Sequence, residues 1–167
     1  MTEQPLNASP LQIESHEFLE ISVRASEQEA PIGDLSLTIN RKWVLADAQM
    51  RRWKLILTVF FGGEREGKES TYTGMLKVGG SFIVAEKYPQ EKASDLIQIT
   101  GASILYGACR EMLANLTARG PRGMVSLPSV SFVPLPSQAE VPGSGSPKIS
   151  AKKRQSASKP RQTKSES

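Results

Sequence analysis

A single cysteine and a single histidine close off several chemistries at once. One cysteine cannot form an internal disulfide, which suits a reducing cytoplasm. One histidine with one distant cysteine makes neither a zinc site nor a catalytic dyad. Phosphate-cradling glycine loops are missing too, since the glycine pairs Gly62-Gly63 and Gly79-Gly80 lack a strand-loop-helix setting. Acidic residues (Glu14, Glu17, Glu20, Asp34, Asp47, Glu86, Asp95, Glu111) are scattered, with none marked as a paired-carboxylate site. No window is apolar enough for long enough to span a bilayer. Residues 1–10 hold no basic residue and no apolar run, so no secretory signal is expected there. The Asn7-Ala8-Ser9 and Asn115-Leu116-Thr117 sequons then carry no weight. These absences argue against an enzyme, and neither a cofactor nor a metal is expected.

What is present is one domain's worth of apolar patterning and a polar tail. The net charge of +4 is unevenly placed. Residues 148–167 carry seven Lys or Arg against Glu166, a balance of +6, which leaves the rest of the chain at −2. Pro136, Pro142, Gly143, Gly145 and Pro147 among serines describe a linker over the start of 136–167, and the basic remainder is expected to be disordered, as is the polar start, 1–10.

Between them, 11–135 reads as an α+β domain. Leu19, Ile21 and Val23 alternate with polar neighbours over Glu17–Ala25, a half-buried strand. Pro31-Ile32-Gly33-Asp34 is a turn. Leu35, Leu37 and Ile39 open a second strand that runs on toward Trp43, with Ala46–Met50 as a connector. Arg51–Phe61 is the strongest strand: Trp53, Leu55, Leu57, Val59 and Phe61 share a face, while Ile56 and Phe60 make the other face partly apolar. After a charged, glycine-rich hairpin comes a long fourth strand, Ser70–Ala85, with Gly79-Gly80 marking a bulge or a close backbone approach. Ser94 is placed to cap a short helix over Asp95–Ile99, Thr100-Gly101 to break it, and Ser103 to cap a longer one. Four strands followed by helices predict a four-stranded antiparallel sheet with one long and one short helix on one face.

On the long helix, Leu105, Cys109, Met112 and Leu116 recur at helical spacing, widened by Ile104, Ala108 and Leu113. Cys109 on that stripe reads as a buried structural thiol, with an oxidant-sensitive thiol at a subunit contact as the alternative. Arg119, Gly120 and Pro121 mark the stop. Beyond it Met124, Val125, Leu127, Val130, Phe132, Val133 and Leu135 are interrupted by Pro128 and Pro134, so the segment runs extended without joining a sheet interior. Two-sided apolar strands under a single helix layer leave apolar surface over, which fits an oligomer interface or a binding groove.

A helix ending in Asn115-Leu116-Thr117-Ala118-Arg119-Gly120, followed by Leu127-Pro128-Ser129-Val130-Ser131-Phe132, resembles the SecB protein-export chaperones. The run from Tyr72 to Ile83, with its paired glycines, is similar to that family's last strand. The resemblance covers roughly 12–135, and it implies an ATP-independent holdase assembled as a dimer of dimers in the cytoplasm. By that implication Leu105, Cys109, Met112 and Leu116 build the oligomer. Trp43, Leu76, Val78, Phe82, Met124, Val125, Leu127, Val130 and Phe132 line a groove for unfolded precursor polypeptides. Glu20 matches an acidic position that docks the Sec translocase motor ATPase in the family, whereas Arg24 stands where the family shows an acid and Met75 stands at another such position on the long strand. The family's usual further helix has little room among Pro134, Pro136 and Pro142. Two alternatives accompany this reading: a SecB-like chaperone dedicated to an antitoxin or a phage protein, and nucleic-acid binding through Ser150–Lys164, a basic stretch without stacking aromatics.

Overall fold

A computed structural model describes residues 8–27, 35–65 and 68–133, all within the first of two units of the chain, Met1–Pro134. The Pro31–Asp34 turn, most of the polar start and the linker with its basic tail lie outside the described residues. The sheet is antiparallel with strand order β1-β6-β3-β2, built from β1 (Leu11–Ala25), β2 (Leu37–Asp47), β3 (Arg52–Phe61) and β6 (Tyr72–Val84). The expected hairpin between the third and fourth long strands carries a two-residue ribbon, β4 (Glu64–Arg65) against β5 (Lys68–Glu69).

Strand β1 begins six residues before the alternation becomes clear. Leu11 and Ile13 keep the pattern, then Glu14-Ser15-His16 interrupts it, and the register shifts between Ile13 and Ser15 and again between Phe18 and Glu20. Each shift inserts a residue that the partner strand does not match, which hides a strand from a search for strict alternation. Strand β2 runs past Trp43 to Asp47, where the carboxylate Oδ1 accepts the Gln49 and Met50 amides at 2.9 and 3.1 Å and turns the chain.

One sheet face is the core. Leu55, Leu57, Val59 and Phe61 of β3 and Leu76, Val78, Phe82 and Val84 of β6 are buried there, under Ala93, Ile97, Ala102, Leu105, Tyr106, Cys109 and Leu113 of the helical layer. Each large apolar side chain so buried contributes about 1.5–3 kcal/mol. The short and long helices are both present, but Thr100-Gly101 does not separate them. A 3₁₀ turn (Gln90–Lys92), α1 (Ala93–Leu96), a π turn (Ile97–Gly101) and α2 (Ala102–Thr117) follow without a gap. The π turn absorbs one extra residue and holds Gly101 on the sheet, where a Cβ would come within 3.3 Å of Leu55 Cδ2. Neither serine caps. Ser94 Oγ lies 3.2 Å from both Trp43 Nε1 and Gln98 Nε2, and the Ser103 hydroxyl donates to the Ile99 carbonyl at 2.7 Å.

No described element covers the second sheet face. Leu19, Val44 and Phe60 are exposed on it, with Ile56, Met75 and Ile83 half-buried, so the leftover apolar surface expected from the two-sided strands is there. No helix of the described residues is long and apolar enough to cross a membrane.

Candidate functional site

The proline-punctuated segment after α2 turns at Gly123, whose φ is 78°, and runs back along the helix as an arm, 124–133. Its backbone belongs to no strand, so its polar groups need other partners. The helix supplies them in descending order. Thr117 Oγ1 accepts the Val125 amide at 2.9 Å, Arg110 Nε donates to the Leu127 carbonyl at 3.0 Å, and the Tyr106 hydroxyl donates to the Pro128 carbonyl at 2.7 Å. At the far end Phe132 meets Tyr106 edge to face at 5.8 Å and lies under the Arg41 guanidinium at 5.3 Å. Arg41 is itself fixed by donating to the Gln98 carbonyl at 2.8 Å. The arm's start is held by Arg122, which donates to the Ser26 and Glu27 carbonyls, while its amide donates to the Tyr72 hydroxyl.

Alternation along the arm then sorts its side chains. Val125 and Leu127 are buried against the helix, Val130 and Phe132 are half-buried, and Met124 and Val133 are 64% and 58% exposed. A surface depression of about 330 Å³ lies between the arm and β2, lined by Ile39, Arg41, Val130, Ser131, Phe132 and Val133.

This placement redraws the groove expected from the sequence. Leu76, Val78 and Phe82 are fully buried beneath the helix, and Val125 and Leu127 pack on it, so within the protomer all five are core rather than wall. The reason is the single helix layer, which covers the middle of this sheet face and leaves open on that face only the margin and the arm. Trp43, Met124, Val130 and Phe132 keep accessible surface. The same correction divides the oligomer stripe: Leu105 and Cys109 face the sheet with no exposure, Met112 is half-buried, and only Leu116, with Ile104, is exposed. Glu20 is exposed on the helix-free face, in register with Lys77. Thr117, Tyr106, Arg110, Arg41 and Arg122, which hold the arm, carry no periodic apolar signal, and none of them is given a role by the sequence pattern.

The arrangement holds no reactive group. Burial pushes the Cys109 thiol up to about 12 and raises the Tyr106 hydroxyl as well, so neither ionises near neutrality. Among the described residues no group of three His, Cys, Asp or Glu is placed to hold a metal ion. The site can therefore bind apolar side chains beside exposed backbone.

No protein-family model and no curated protein matches this sequence. Among solved structures, the chain is similar to the SecB-like chaperone Rv1957 of Mycobacterium tuberculosis, solved in complex with a ChAD peptide from the HigA1 antitoxin. The TM-score is 0.55 at 18% identity, covering 72% of this chain and 91% of that one. It is also similar, at a TM-score of 0.41 and 11% identity, to a protein of unknown function from Streptococcus agalactiae, covering 71% of this chain and 97% of that one. Strand order, helix placement and the first of these likenesses together give the chain a SecB-like α+β fold.

Proposed function

We propose that this protein is a chaperone that holds non-native polypeptide without ATP, at the margin where the arm meets β2. The observation that carries the reading is the row of Val130, Phe132 and Val133 beside Ile39, with Met124 exposed at the other end of the arm, apolar surface on a segment whose backbone is in no sheet. Such a strip gains by burying a client's apolar side chains. Neighbouring free N–H and C=O groups add strand-like bonds that tolerate any sequence. Binding the unfolded chain in preference to the folded one delays folding by mass action alone, which requires no cofactor. A homo-oligomer, which the exposed Ile104 and Leu116 on the outer side of α2 would serve, would repeat the strip and raise avidity toward one long client.

Within this reading, service to one dedicated partner is favoured over general export. The structural neighbour holds an antitoxin peptide, while Arg24 and Met75 replace the family's docking residues on the face that carries Glu20. The setting in either case is the cytoplasm. The test is aggregation of a slowly refolding client, followed by light scattering with and without ATP. The protein should suppress scattering in both cases, and Met124→Ser with Val133→Ser, both surface changes, should lose most of that suppression. Equal holding by the double variant would refute the site. A pull-down against the Sec motor and against antitoxin peptides then separates the two destinations, and nucleic-acid retention at low and high salt checks the basic tail.

A further inference from the structure

The helix-free face holds a second concavity, of about 380 Å³, on the side of the sheet away from the arm. Its origin lies in the strand register. Lys42, Ile56, Gly79 and Glu17 stand in one row across β2, β3, β6 and β1, and Gly79 contributes no side chain to that row. The row is therefore sunk between Ile56 and Glu17, across strands about 4.8 Å apart. Leu19, the extra residue at a bulge of β1, leans in over the gap, and Val44 borders it from β2. Leu19 and Val44 are 47% and 58% exposed, which makes the walls apolar but open. Such an open hollow has room for one or two bulky side chains.

Charge sets the direction of the occupant. Lys42 and Lys54 border the hollow on the β2–β3 side, and among the described residues neither has a carboxylate within ion-pair distance. Glu17 stands at the opposite, β1 side. A ligand with an apolar centre and carboxylates on one flank satisfies both edges; carboxylates on both flanks would meet Glu17. We infer that this hollow is a docking site for a partner polypeptide, which inserts bulky apolar side chains over Gly79 and lays an acidic flank against Lys42 and Lys54. The site is on the other face of the sheet from the arm and does not depend on the chaperone reading.

The probe is a fluorescein-labelled decapeptide with two central phenylalanines, three glutamates on one side and serines elsewhere, compared with its lysine-for-glutamate counterpart by fluorescence anisotropy. The parent protein should bind the acidic peptide about ten-fold more tightly than the basic one at low salt, a difference that shrinks as salt is added. Gly79→Leu fills the hollow and should weaken acidic-peptide binding about ten-fold or more. A Cβ at Gly79 stands 3.5 Å from Leu19 Cδ1, in ordinary contact, and circular dichroism checks that the fold is kept. Lys42→Glu with Lys54→Glu touches no core residue and should invert the preference toward the basic peptide. Equal binding of the two peptides by the parent, no binding of either, or an unchanged preference in the double lysine variant would overturn the inference. So would loss of acidic-peptide binding in the Met124→Ser, Val133→Ser variant, because the peptide would then be seated on the arm.

Discussion

Replacing Thr117 by valine keeps the shape of the side chain and removes one hydroxyl. That hydroxyl is fully buried and does two things: its oxygen accepts the Val125 amide at 2.9 Å, and its proton is shared among the carbonyls of Leu113 at 2.8 Å, Val125 at 3.2 Å and Ala114 at 3.4 Å. The Leu113 and Ala114 carbonyls retain their helical partners, the latter the Ala118 amide at 2.9 Å. The Val125 amide has no alternative, since the arm lies in no strand and the site is closed to water. An unpaired buried donor costs about 1–3 kcal/mol, so Thr117→Val should lose about 2 kcal/mol and roughly 8 °C in Tm. Urea unfolding and calorimetry measure the total. Hydrogen exchange at the Val125 amide locates it, and exchange there should quicken more than at Val78 in the middle of the sheet. Thr117→Ser keeps the hydroxyl and loses one methyl, so it should cost about half as much or less and leave the Val125 amide protected. A valine variant as stable as the parent, with that amide still protected, would refute the claim that Thr117 fastens the arm.

Two further outcomes follow from the glycines and the thiol. Gly80→Ala places a Cβ 2.9 Å from both Leu105 Cδ2 and Phe82 Cε2 in the core, so it should destabilise by about 1–3 kcal/mol, whereas Gly79→Ala on the other face should fall within about 0.5 kcal/mol of the parent by urea titration. Cys109 is raised by burial from its ordinary 9.0 to about 12, so the folded state keeps a proton that the unfolded chain releases. Its contribution is fully present below pH 9 and is lost as pH rises from there toward 12, with a slope of at most about 1.4 kcal/mol per pH unit. Tyr106 adds a loss of the same sign only above pH 10, where its own ordinary value lies. Denaturation midpoints between pH 8.5 and pH 10 should therefore fall in the parent and stay flatter in Cys109→Ala; equal slopes would show that the thiol is not the group responsible.

The fold was legible wherever a local rule governs. Alternation located β3, the expected strand Ser70–Ala85 spans all of β6, the helical repeat located α2, and the prolines of the arm excluded it from the sheet. The misread elements are those where a contact across the sheet overrides the local signal. Gly101 reads as a helix breaker from its neighbours alone, yet it lies inside the helical layer, packed closely on the sheet, where a Cβ would stand a tight 3.3 Å from Leu55 Cδ2 and in ordinary contact with Phe82. The start of β1 is hidden by two register shifts, which matter only once β6 is beside it. Ser94 and Ser103 obey the capping pattern and spend their hydroxyls elsewhere.

The site shows the same division. Apolar periodicity marks which side chains leave water but not what they pack on, so Leu76, Val78, Phe82 and Leu105, given groove or interface roles by the family resemblance, lie in one protomer's core. Cys109 lies there too, and its reading as a buried thiol agrees with its burial. One helix layer covers one face of the sheet, and on that face the residues that remain open are those at its margins. Binding surface in this fold is accordingly set less by which residues are apolar than by where the layer stops. The arm's anchors decide that limit on one face: Thr117, Arg110 and Tyr106 draw Val125 and Leu127 inward and leave Met124 and Val133 turned out. If those anchors were cut, the arm's buried residues would join the exposed strip, so loosening the arm should increase client holding while it lowers stability. The Thr117→Val variant, assayed for both, tests that coupling, and a variant that loses stability without gaining capacity would show that the strip ends at Met124 and Val133.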